Sequence, residues 1–367
     1  MKKNIIKIIC ILLVFISVEG KAQQKNNEAP NVFLITLDGV RWQEVFKGID
    51  TVLLNNKEYT DNAKLLKEKF VGNSETENRK KLMPFFWSTI VQKGQLYGNR
   101  EKGSDMNLTN TMVFSYPGYN EILTGKADDE HINSNNKAYN PNITVLEKLN
   151  ATSTYKGKVA AFGSWDVFPF IINDKRSGVP VNAGYMDTTG NLTEIEKFLN
   201  ESQRQAPIIW ESVRLDVYTH HYAKEYIKKN QPKIVYIAYG ETDDFAHGGL
   251  FDFYIKSLNN TDGLIADLWD YVQSNPFYKD NTYFIITTDH GRGVGASKES
   301  LWTGHGSKVK DADQTWMAII GPNIKPMGEI SKKSQVYTNQ VVPIIEKITE
   351  LKIQNTTDQF ILDLFIK

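Results

Sequence analysis

Asn31-Val-Phe-Leu-Ile-Thr-Leu37 is a continuous apolar run that ends at Asp38-Gly39. Such a run is typical of a strand buried on both faces of a parallel sheet. Two later runs, 233–239 and 281–287, repeat the design, and each is followed at once by polar residues. In an open parallel sheet, ligands bind beyond the carboxyl ends of the strands. The polar residues after these runs are therefore candidate functional residues.

The rest of the chain alternates in the same way. Further strands are predicted at 159–162 and 315–320, and helices at 83–92, 144–149, 216–229, 254–274 and 339–351. Alternating strands and helices predict an α/β fold, a three-layer αβα sandwich around a mostly parallel, doubly wound sheet. Segments 53–81 and 188–207 are polar and are predicted to be insertions or excursions over the active face.

Residues 1–22 have the organisation of a secretory signal peptide. A positively charged start precedes an apolar run over 8–18, and Gly20-Lys21-Ala22 offers small residues to a signal peptidase. The run is short for a membrane span. We predict cleavage after residue 22, one catalytic domain over 23–367, export to the periplasm or the exterior, and no stable membrane insertion after cleavage. An uncleaved N-terminal anchor is the alternative.

Composition narrows the function further. Removing residues 1–22 takes away four Lys and one Glu, which leaves 39 basic and 42 acidic residues. No basic excess exists to neutralise a phosphate backbone, so no nucleic-acid-binding surface is predicted. Cys10 is the only cysteine, and it lies in the predicted leader. A metal in the mature chain must therefore be held by His, carboxylate or hydroxyl groups. The sequence leaves the oligomeric state open.

Two motifs follow the first and second long apolar runs. Asp38 stands directly after the first run, where a carboxylate either caps a turn or faces a ligand. Asp243 and His247 follow the second run, and their spacing of four places them on one face of a helix. A carboxylate and an imidazole so placed can chelate a divalent ion, although the same spacing also occurs in surface contacts.

Two further motifs contain histidine beside glycine. Asp289 and His290 lie in Thr-Asp-His-Gly after the third run, and His305 stands between two glycines. Flanking glycines allow the backbone to bring an imidazole close to a ligand, whereas the alternative is a turn with an exposed histidine. His220 and His221 lie on the predicted helix 216–229, where we expect them to be exposed and without a role.

Residues 114–125, Phe-Ser-Tyr-Pro-Gly-Tyr-Asn-Glu-Ile-Leu-Thr-Gly, form a complete helix signature. Ser115 stands near the N-cap, Pro117 lies in the first turn, and Gly125 ends the helix. A simple N-cap is one interpretation. The other makes Ser115 a nucleophile at the positive end of a helix, where an anion such as phosphate is favoured and a metal would lower the hydroxyl pKa.

In their order along the chain, these motifs resemble those of the alkaline phosphatase superfamily of two-metal hydrolases. They are T-L-D-G, S-Y-P-G-Y-N-E-I-L-T-G, E-T-D-D-F-A-H, T-D-H-G and G-H-G, within residues 31–322. Within the superfamily, the motifs most resemble those of nucleotide pyrophosphatase/phosphodiesterases and related phosphatases. The resemblance implies one metal ion on Asp243, His247 and His305, and a second on Asp38, Asp289, His290 and the Ser115 oxygen.

The resemblance also implies a mechanism. Two divalent cations would clamp the attacking and leaving oxygens, and Ser115 would form a phosphoseryl intermediate. Nitrogen and oxygen ligation favours zinc, with manganese or iron as alternatives. The stretch His131–Asn136 resembles the H-x-x-x-x-N stretch of these enzymes, which implies that Asn136 donates to a phosphoryl oxygen. A shift to Asn135 and a merely solvated loop are the alternatives.

The substrate is predicted by elimination within the resemblance. Sulfatases of the superfamily carry (C/S)-x-P-S-R, whereas Gly118 and Tyr119 stand here in place of Ser and Arg. Related monoesterases place Lys and Arg near the phosphate, but Gly163–Pro169 offers neither and contains Trp165 and Phe168, which suggest an apolar wall.

We therefore predict a small-molecule phosphoester substrate, with a phosphodiester favoured over a phosphomonoester. Lys175 and Arg176 could compensate for the missing bases, so the preference is modest. Phosphomonoester, phosphonate or sulfate ester hydrolysis on the same core are the alternatives. A non-enzymatic binding protein whose motifs have drifted is the alternative from another class.

Overall fold

A computed structural model describes residues 29–295, 301–351 and 358–366, so the predicted signal peptide lies outside the described residues. The strands are β1 (Asn31–Leu37), β2 (Gln95–Tyr97), β3 (Ser104–Asn107), β4 (Val159–Gly163), β5 (Val181–Ala183), β6 (Ile234–Tyr239), β7 (Thr282–Thr287), β8 (Met317–Ile320), β9 (Gly328–Glu329) and β10 (Ser334–Tyr337). Eight form one sheet in the order β5-β4-β6-β1-β7-β8-β2-β9, and β10 pairs with β3. Within the large sheet only β8 runs antiparallel to its neighbours. The predicted mostly parallel sheet is confirmed.

The helices fill the connections between strands. They are α1 (Trp42–Lys47), α2 (Thr51–Leu54), α3 (Ala63–Phe70), α4 (Glu75–Leu82), α5 (Val91–Lys93), α6 (Ser115–Thr124), α7 (Val145–Asn150), α8 (Phe168–Ile172), α9 (Asp174–Ser177), α10 (Glu194–Gln205), α11 (Asp216–Asn230), α12 (Glu241–His247), α13 (Phe251–Ser274), α14 (Val341–Thr349) and α15 (Gln359–Asp363). A π-helix, Phe86–Ile90, leads into α5, and 3₁₀ turns lie at Arg100–Lys102 and Thr338–Gln340. Across the described residues, no helix combines the length and the apolar character that a membrane span requires.

Side chains of β1 show why the fold has three layers. Phe33 and Ile35 belong to one buried apolar cluster, whereas Val32 and Leu34 belong to another. Successive strand residues point to opposite faces, so both faces of the sheet must be covered. Helices α1–α5 and α10–α13 contribute to the first cluster, and α6–α8, α14 and α15 to the second. The predicted αβα sandwich follows from this division.

Strand register brings the predicted motifs to one edge. Leu37 pairs with Tyr239 of β6, and Thr36 pairs with Thr287 of β7. The three central strands therefore end at the same level. The residues that follow them, Asp38, the start of α12 and Asp289, meet there.

Two predicted excursions are instead part of the helical layer. Segment 53–81 forms the end of α2, all of α3 and most of α4, and it places Leu54, Leu66 and Phe70 in the core. Segment 188–207 contains α10, whose Leu199 is also buried. Their many charged residues suggested exposed loops, but a few apolar residues at helical spacing suffice to anchor a helix on one side.

Candidate active site

Asp38, Asp289 and His290 form a fully buried set at the ends of β1 and β7. His290 Nε2 lies 3.4 Å from Asp38 Oδ1 and 3.5 Å from Asp289 Oδ2. The three ligand atoms lie within 4.8 Å of one another, close enough to hold one metal ion. The structure brings together the three side chains that the resemblance implied. We call them the buried set.

Asp243, His247 and His305 form the outer set; α12 supplies the first two, and the loop 304–306 supplies the third. His247 Nε2 lies 3.1 Å from Asp243 Oδ2 and 2.9 Å from His305 Nε2, while His305 Nε2 lies 3.8 Å from Asp243 Oδ1. The side chain of His247 is 45% exposed, in contrast to the buried set. His290 Nε2 is also 3.8 Å from Asp243 Oδ1, so the two sets adjoin.

Negative charge accumulates in the buried set. Burial, and then repulsion by Asp243, raises the pKa of Asp38, and burial together with Asp38 raises the pKa of Asp289 well above its usual range. Asp38 Oδ1 and Asp289 Oδ2 are buried and accept no hydrogen bond from the described residues. Buried carboxylate oxygens rarely lack a donor, so two of them aimed at one imidazole fit a divalent cation.

Both central histidines are oriented by the backbone. His290 Nδ1 donates to the Gly291 carbonyl at 2.9 Å, and His305 Nδ1 donates to the Val113 carbonyl at 3.3 Å. Each Nε2 is thereby turned toward the carboxylates, as in histidine ligands of metals. Burial alone would lower the pKa of His290, but Asp289 and Asp38 outweigh it and raise the pKa to about 9. A metal ion would replace that proton.

Arg292 is a site residue to which the sequence analysis gave no role. Its side chain is buried and donates from Nη2 to Asp243 Oδ1 and, at 3.0 Å, to the Asp243 carbonyl. Burial would raise the pKa of Asp243, yet Arg292 and then His247 hold it well below its usual range. The available signal was a basic residue two positions after a ligand histidine.

Gly39 explains why a glycine follows the first ligand. Its φ is +61°, and a Cβ there would lie 2.6 Å from Asp243 Oδ1 and 2.9 Å from Arg292 Nε. Its backbone N–H donates to Asp289 Oδ1 at 3.1 Å. A side chain at this position would separate the two sets, so only glycine fits.

Helix α6 docks its N-terminus on the buried set. Ser115 begins the helix, and its Oγ lies 3.4 Å from His290 Nε2. Gly118 approaches so closely that a Cβ would lie 2.2 Å from the Asp289 carbonyl oxygen. The Tyr119 hydroxyl donates to Asp38 Oδ2 at 2.7 Å. The spacing of four between Ser115 and Tyr119 was the signal that both face the same site.

The predicted phosphoryl-binding asparagine occupies a loop beside this helix end. Asn135 Oδ1 accepts a hydrogen bond from the Tyr116 N–H at 3.0 Å. Asn136 is exposed, and only its backbone is hydrogen-bonded within the described residues: its N–H donates to Ser134 Oγ at 3.4 Å and its carbonyl accepts from the Ala138 N–H at 2.8 Å. The structure thus places Asn135, the alternative, next to Ser115, and a role for Asn136 stays a prediction.

A reciprocal contact between helix N-termini positions the outer set. Asp216 Oδ1, at the start of α11, accepts from the Gly240 N–H at 2.8 Å and from Ser164 Oγ at 2.6 Å. Glu241 Oε1, at the start of α12, accepts from the Asp216 N–H at 2.7 Å. Each carboxylate satisfies free N–H groups of the other helix start, which fixes the helix that carries Asp243 and His247.

Three basic residues, at positions 137, 175 and 176, contact other protein groups. Arg176 Nε and Nη2 bind both carboxylate oxygens of Glu147 at 2.8 Å, and Lys175 Nζ lies 4.8 Å from the centre of the Tyr139 ring. Lys137 Nζ binds Asp166 Oδ2 at 2.6 Å. In the structure, Lys175 and Arg176 therefore contact Tyr139 and Glu147 and do not replace the Lys and Arg that related monoesterases place near the phosphate.

Phe168 was expected to line the pocket as an apolar wall, and this expectation is wrong. Phe168 is buried in the core on α8. Its ring packs against those of Tyr119 and Tyr236, with centroid distances of 4.8 and 5.7 Å. The apolar residues after β4 serve the core because α8 begins immediately there. Trp165, by contrast, is only partly buried.

The comparisons with known proteins identify the family and the fold of the chain. The sulfatase family model matches residues 30–345. The lipoteichoic acid synthase LtaP from Listeria monocytogenes matches with a TM-score of 0.57 at 10% identity, over 89% of this chain and 73% of that chain. The alkaline phosphatase PafA matches with a TM-score of 0.56 at 11% identity, over 88% of this chain and 96% of that chain.

Murine ectonucleotide pyrophosphatase/phosphodiesterase 5 matches with a TM-score of 0.55 at 11% identity, over 92% of this chain and all of that chain. At these identities the structural matches show the fold alone. No curated protein matches the chain in sequence.

Proposed function

The chain belongs to the sulfatase family within the alkaline phosphatase superfamily and is a hydrolase, and on this premise we propose that it cleaves phosphoric esters with Ser115 as the nucleophile. The observation that carries the proposal is the position of Ser115 Oγ, 3.4 Å from His290 Nε2 at the start of α6. We propose that each of the two sets binds one divalent cation and that this cation is zinc. We also propose that the protein is exported and that its substrate is a small molecule.

The proposed reaction proceeds in two displacements. Bound cations would lower the pKa of the Ser115 hydroxyl and neutralise phosphoryl oxygens. Ser115 Oγ gives up its proton to solvent and attacks phosphorus, so that the Oγ–P bond forms while the bond to the leaving oxygen breaks. The leaving oxygen takes a proton from solvent. Water then cleaves the Oγ–P bond of the phosphoseryl intermediate, which releases phosphate or its monoester and restores the Ser115 hydroxyl.

The chain's own groups support this route at the nucleophile. The N-terminus of α6 directs its dipole toward the position of the phosphoryl group. The Tyr119 hydroxyl donates a hydrogen bond to Asp38, and Gly118 packs closely against the Asp289 carbonyl. These two contacts fix Ser115 relative to the buried set. This pre-organisation fixes the nucleophile before substrate binds.

A phosphodiester is favoured over a phosphomonoester because of charge. A monoester carries one negative charge more than a diester, and enzymes that bind it supply additional cations. Here Lys137, Lys175 and Arg176 contact protein groups, and Arg292 pairs with Asp243. A substrate with a single negative charge suits this balance better.

Sulfate ester hydrolysis is the second candidate, because the matching family model is the sulfatase one. The nucleophile helix argues against it. The family resemblance requires Ser and Arg where Gly118 and Tyr119 stand, and a side chain at position 118 would collide with the Asp289 carbonyl. Tyr119 is already committed to Asp38. These positions dock the helix here and cannot take up the sulfatase roles.

A substrate panel tests the proposal. The zinc-loaded protein over residues 23–367 is assayed with bis-p-nitrophenyl phosphate, p-nitrophenyl phosphate and p-nitrophenyl sulfate, with Ser115→Ala purified in parallel to exclude contaminating hydrolases. We expect kcat/KM to fall in that order. A highest kcat/KM for the sulfate ester would favour the second candidate, and equal rates for Ser115→Ala would refute the nucleophile.

A further inference from the structure

Val113, two residues before Ser115, has an unusual backbone conformation. Its φ is +57°, in the left-handed region. β-branched residues rarely adopt this region, because their side chains clash with the backbone, and such strain persists only where surrounding contacts enforce it. Val113 is the one β-branched residue with positive φ in the described part of the chain. Something must therefore hold the loop that leads into the nucleophile.

The restraining contacts come from the nucleophile helix itself. Glu121, which is fully buried on α6, accepts hydrogen bonds from the Thr109 N–H at 2.9 and 3.0 Å. It also accepts from the Asn110 N–H and from Asn110 Nδ2, both at 2.8 Å. Asn110 Oδ1 in turn accepts from the Val113 N–H at 2.9 Å. The chain of bonds runs from Glu121 through Asn110 to the strained residue.

Within the described residues, the hydrogen bonds of the Glu121 carboxylate all go to this loop. No ion pair involves Glu121 within the described residues, and its contacts are N–H donors of residues 109 and 110. A carboxylate that accepts several N–H bonds is a strong local restraint, because each lost bond leaves a buried donor unsatisfied. Glu121 thus clamps the loop onto the helix.

The same loop reaches the outer metal set. The Val113 carbonyl accepts the His305 Nδ1 hydrogen at 3.3 Å, which turns His305 Nε2 toward Asp243 and His247. Ser115 Oγ, two residues further along, faces His290 of the buried set. The conformation of one residue therefore sets the position of the nucleophile and the orientation of a metal ligand together.

We propose that Glu121 is a positioning residue that holds Val113 in its left-handed conformation. In this way it sets both the position of Ser115 and the orientation of the His305 ring. This inference rests on the proposed function, in which Ser115 attacks and His305 binds metal. Glu121 touches neither the substrate nor the reacting atoms. Its effect should appear in metal affinity and in kcat rather than in KM.

Glu121→Gln tests the clamp, because the amide keeps the size but offers one acceptor oxygen and turns an NH₂ group toward N–H donors. In the zinc-loaded protein we expect kcat for bis-p-nitrophenyl phosphate to fall roughly tenfold or more with KM within about twofold. Zinc affinity of the outer set, measured by calorimetry on the metal-free protein, should weaken by a similar factor.

A second substitution separates positioning from helix stability. Glycine adopts the left-handed region without strain, so Val113→Gly in the Glu121→Gln background should restore most of kcat and of the zinc affinity. Val113→Ala, which also removes the side chain but keeps a Cβ, is the matched control and should restore less. A role of Glu121 limited to folding of α6 predicts no such rescue.

The outcomes are distinct. If the wild-type protein binds no metal, the proposed function and this inference both fail. If the wild-type protein binds zinc and is active, but Glu121→Gln matches it or Val113→Gly gives no rescue, the inference alone is overturned. Should Glu121→Gln not fold, Asn110→Ala breaks the same chain of bonds one step later, and the same rescue by Val113→Gly is required.

Discussion

His290 and His220 are both buried, yet their surroundings differ in kind. His290 has a fully buried side chain and faces three carboxylates. Two of their oxygens, Asp38 Oδ1 and Asp289 Oδ2, accept no hydrogen bond from the part of the chain that the structure describes. His220 has a side chain that is 1% exposed, and both of its nitrogens have partners: Tyr239 Oη at 3.0 Å and Asp267 Oδ2 at 2.8 Å. The neutral ring accepts from the tyrosine and donates to the aspartate.

The two pKa values move in opposite directions for this reason. Burial lowers the pKa of His220 to about 4, whereas surplus carboxylates overcome burial and raise the pKa of His290 to about 9. A buried polar group whose bonds are complete serves the fold, and one surrounded by unpaired oxygens has room for a cation. The expectation that His220 is exposed is wrong, because α11 turns this face toward the sheet and α13; the neighbouring His221 is exposed.

The largest effect is expected at Ser115, whose Oγ lies beside His290 and far along the chain from His220. Ser115→Ala should lower kcat by roughly 1000-fold or more, because the attacking oxygen is lost while both metal sets remain. Ser115→Thr should keep part of the activity. Metal content is measured by elemental analysis, and the phosphoseryl intermediate by acid trapping. Hydrolysis by the Ala variant at the wild-type rate would mean direct attack by water.

Substituting the two histidines in the same way compares them directly. His290→Gln should remove one metal ion and lower kcat roughly 100-fold or more, since a three-ligand site keeps two ligands. His220→Gln, the matched control, can still donate to Asp267 and should stay within roughly threefold of wild type, since it leaves the metal ligands untouched. Equal losses in the two variants would break the comparison, because they would make His290 a structural residue as well.

Proton release separates the buried set from the outer set. In His305→Ala, which isolates the buried set, zinc binding should displace the His290 proton below pH 9, and affinity should rise with pH up to that value. In Asp289→Ala, which isolates the outer set, less release is expected at neutral pH. There the pKa of Asp243 is already low, and burial and the nearby His290 hold the pKa of His305 well below its usual range. Calorimetry in buffers of different ionisation enthalpy measures both, and equal release would contradict the assignment.

The smallest effect concerns stability alone. The pKa of His220 is lower in the folded protein than in the unfolded chain, so its contribution is present above pH 6.5 and is lost as the pH falls toward 4. The shift corresponds to something on the order of 3 kcal/mol in the free energy of unfolding. Urea unfolding of wild type and His220→Gln across this range should show a shallower loss in the variant. Parallel curves would mean that His220 is not desolvated.

Continuous apolar runs predicted the central strands well. β1 has the predicted bounds, and β6 and β7 each begin one residue later than predicted. A strand buried on both faces appears as a short, continuous apolar run rich in β-branched residues, and this combination favours a strand over a helix. The polar segment 53–81 was misjudged because α3 and α4 each bury only two residues, and the high charge content of both helices obscures this signal. The contact of Arg292 with Asp243 joins residues 49 positions apart, and no local pattern specifies it.

By itself, the sequence determined the alternation of strands and helices and the residue types that can bind a divalent ion, because both depend on local order along the chain. Tertiary structure alone decided which oxygens lack donors, which of Asn135 and Asn136 stands beside Ser115, and that Val113 is strained. These properties arise from burial and from contacts between distant segments. Hydrogen-bond partners and desolvation depend on what surrounds a group in space, and that is fixed only when the sheet and its helices have packed.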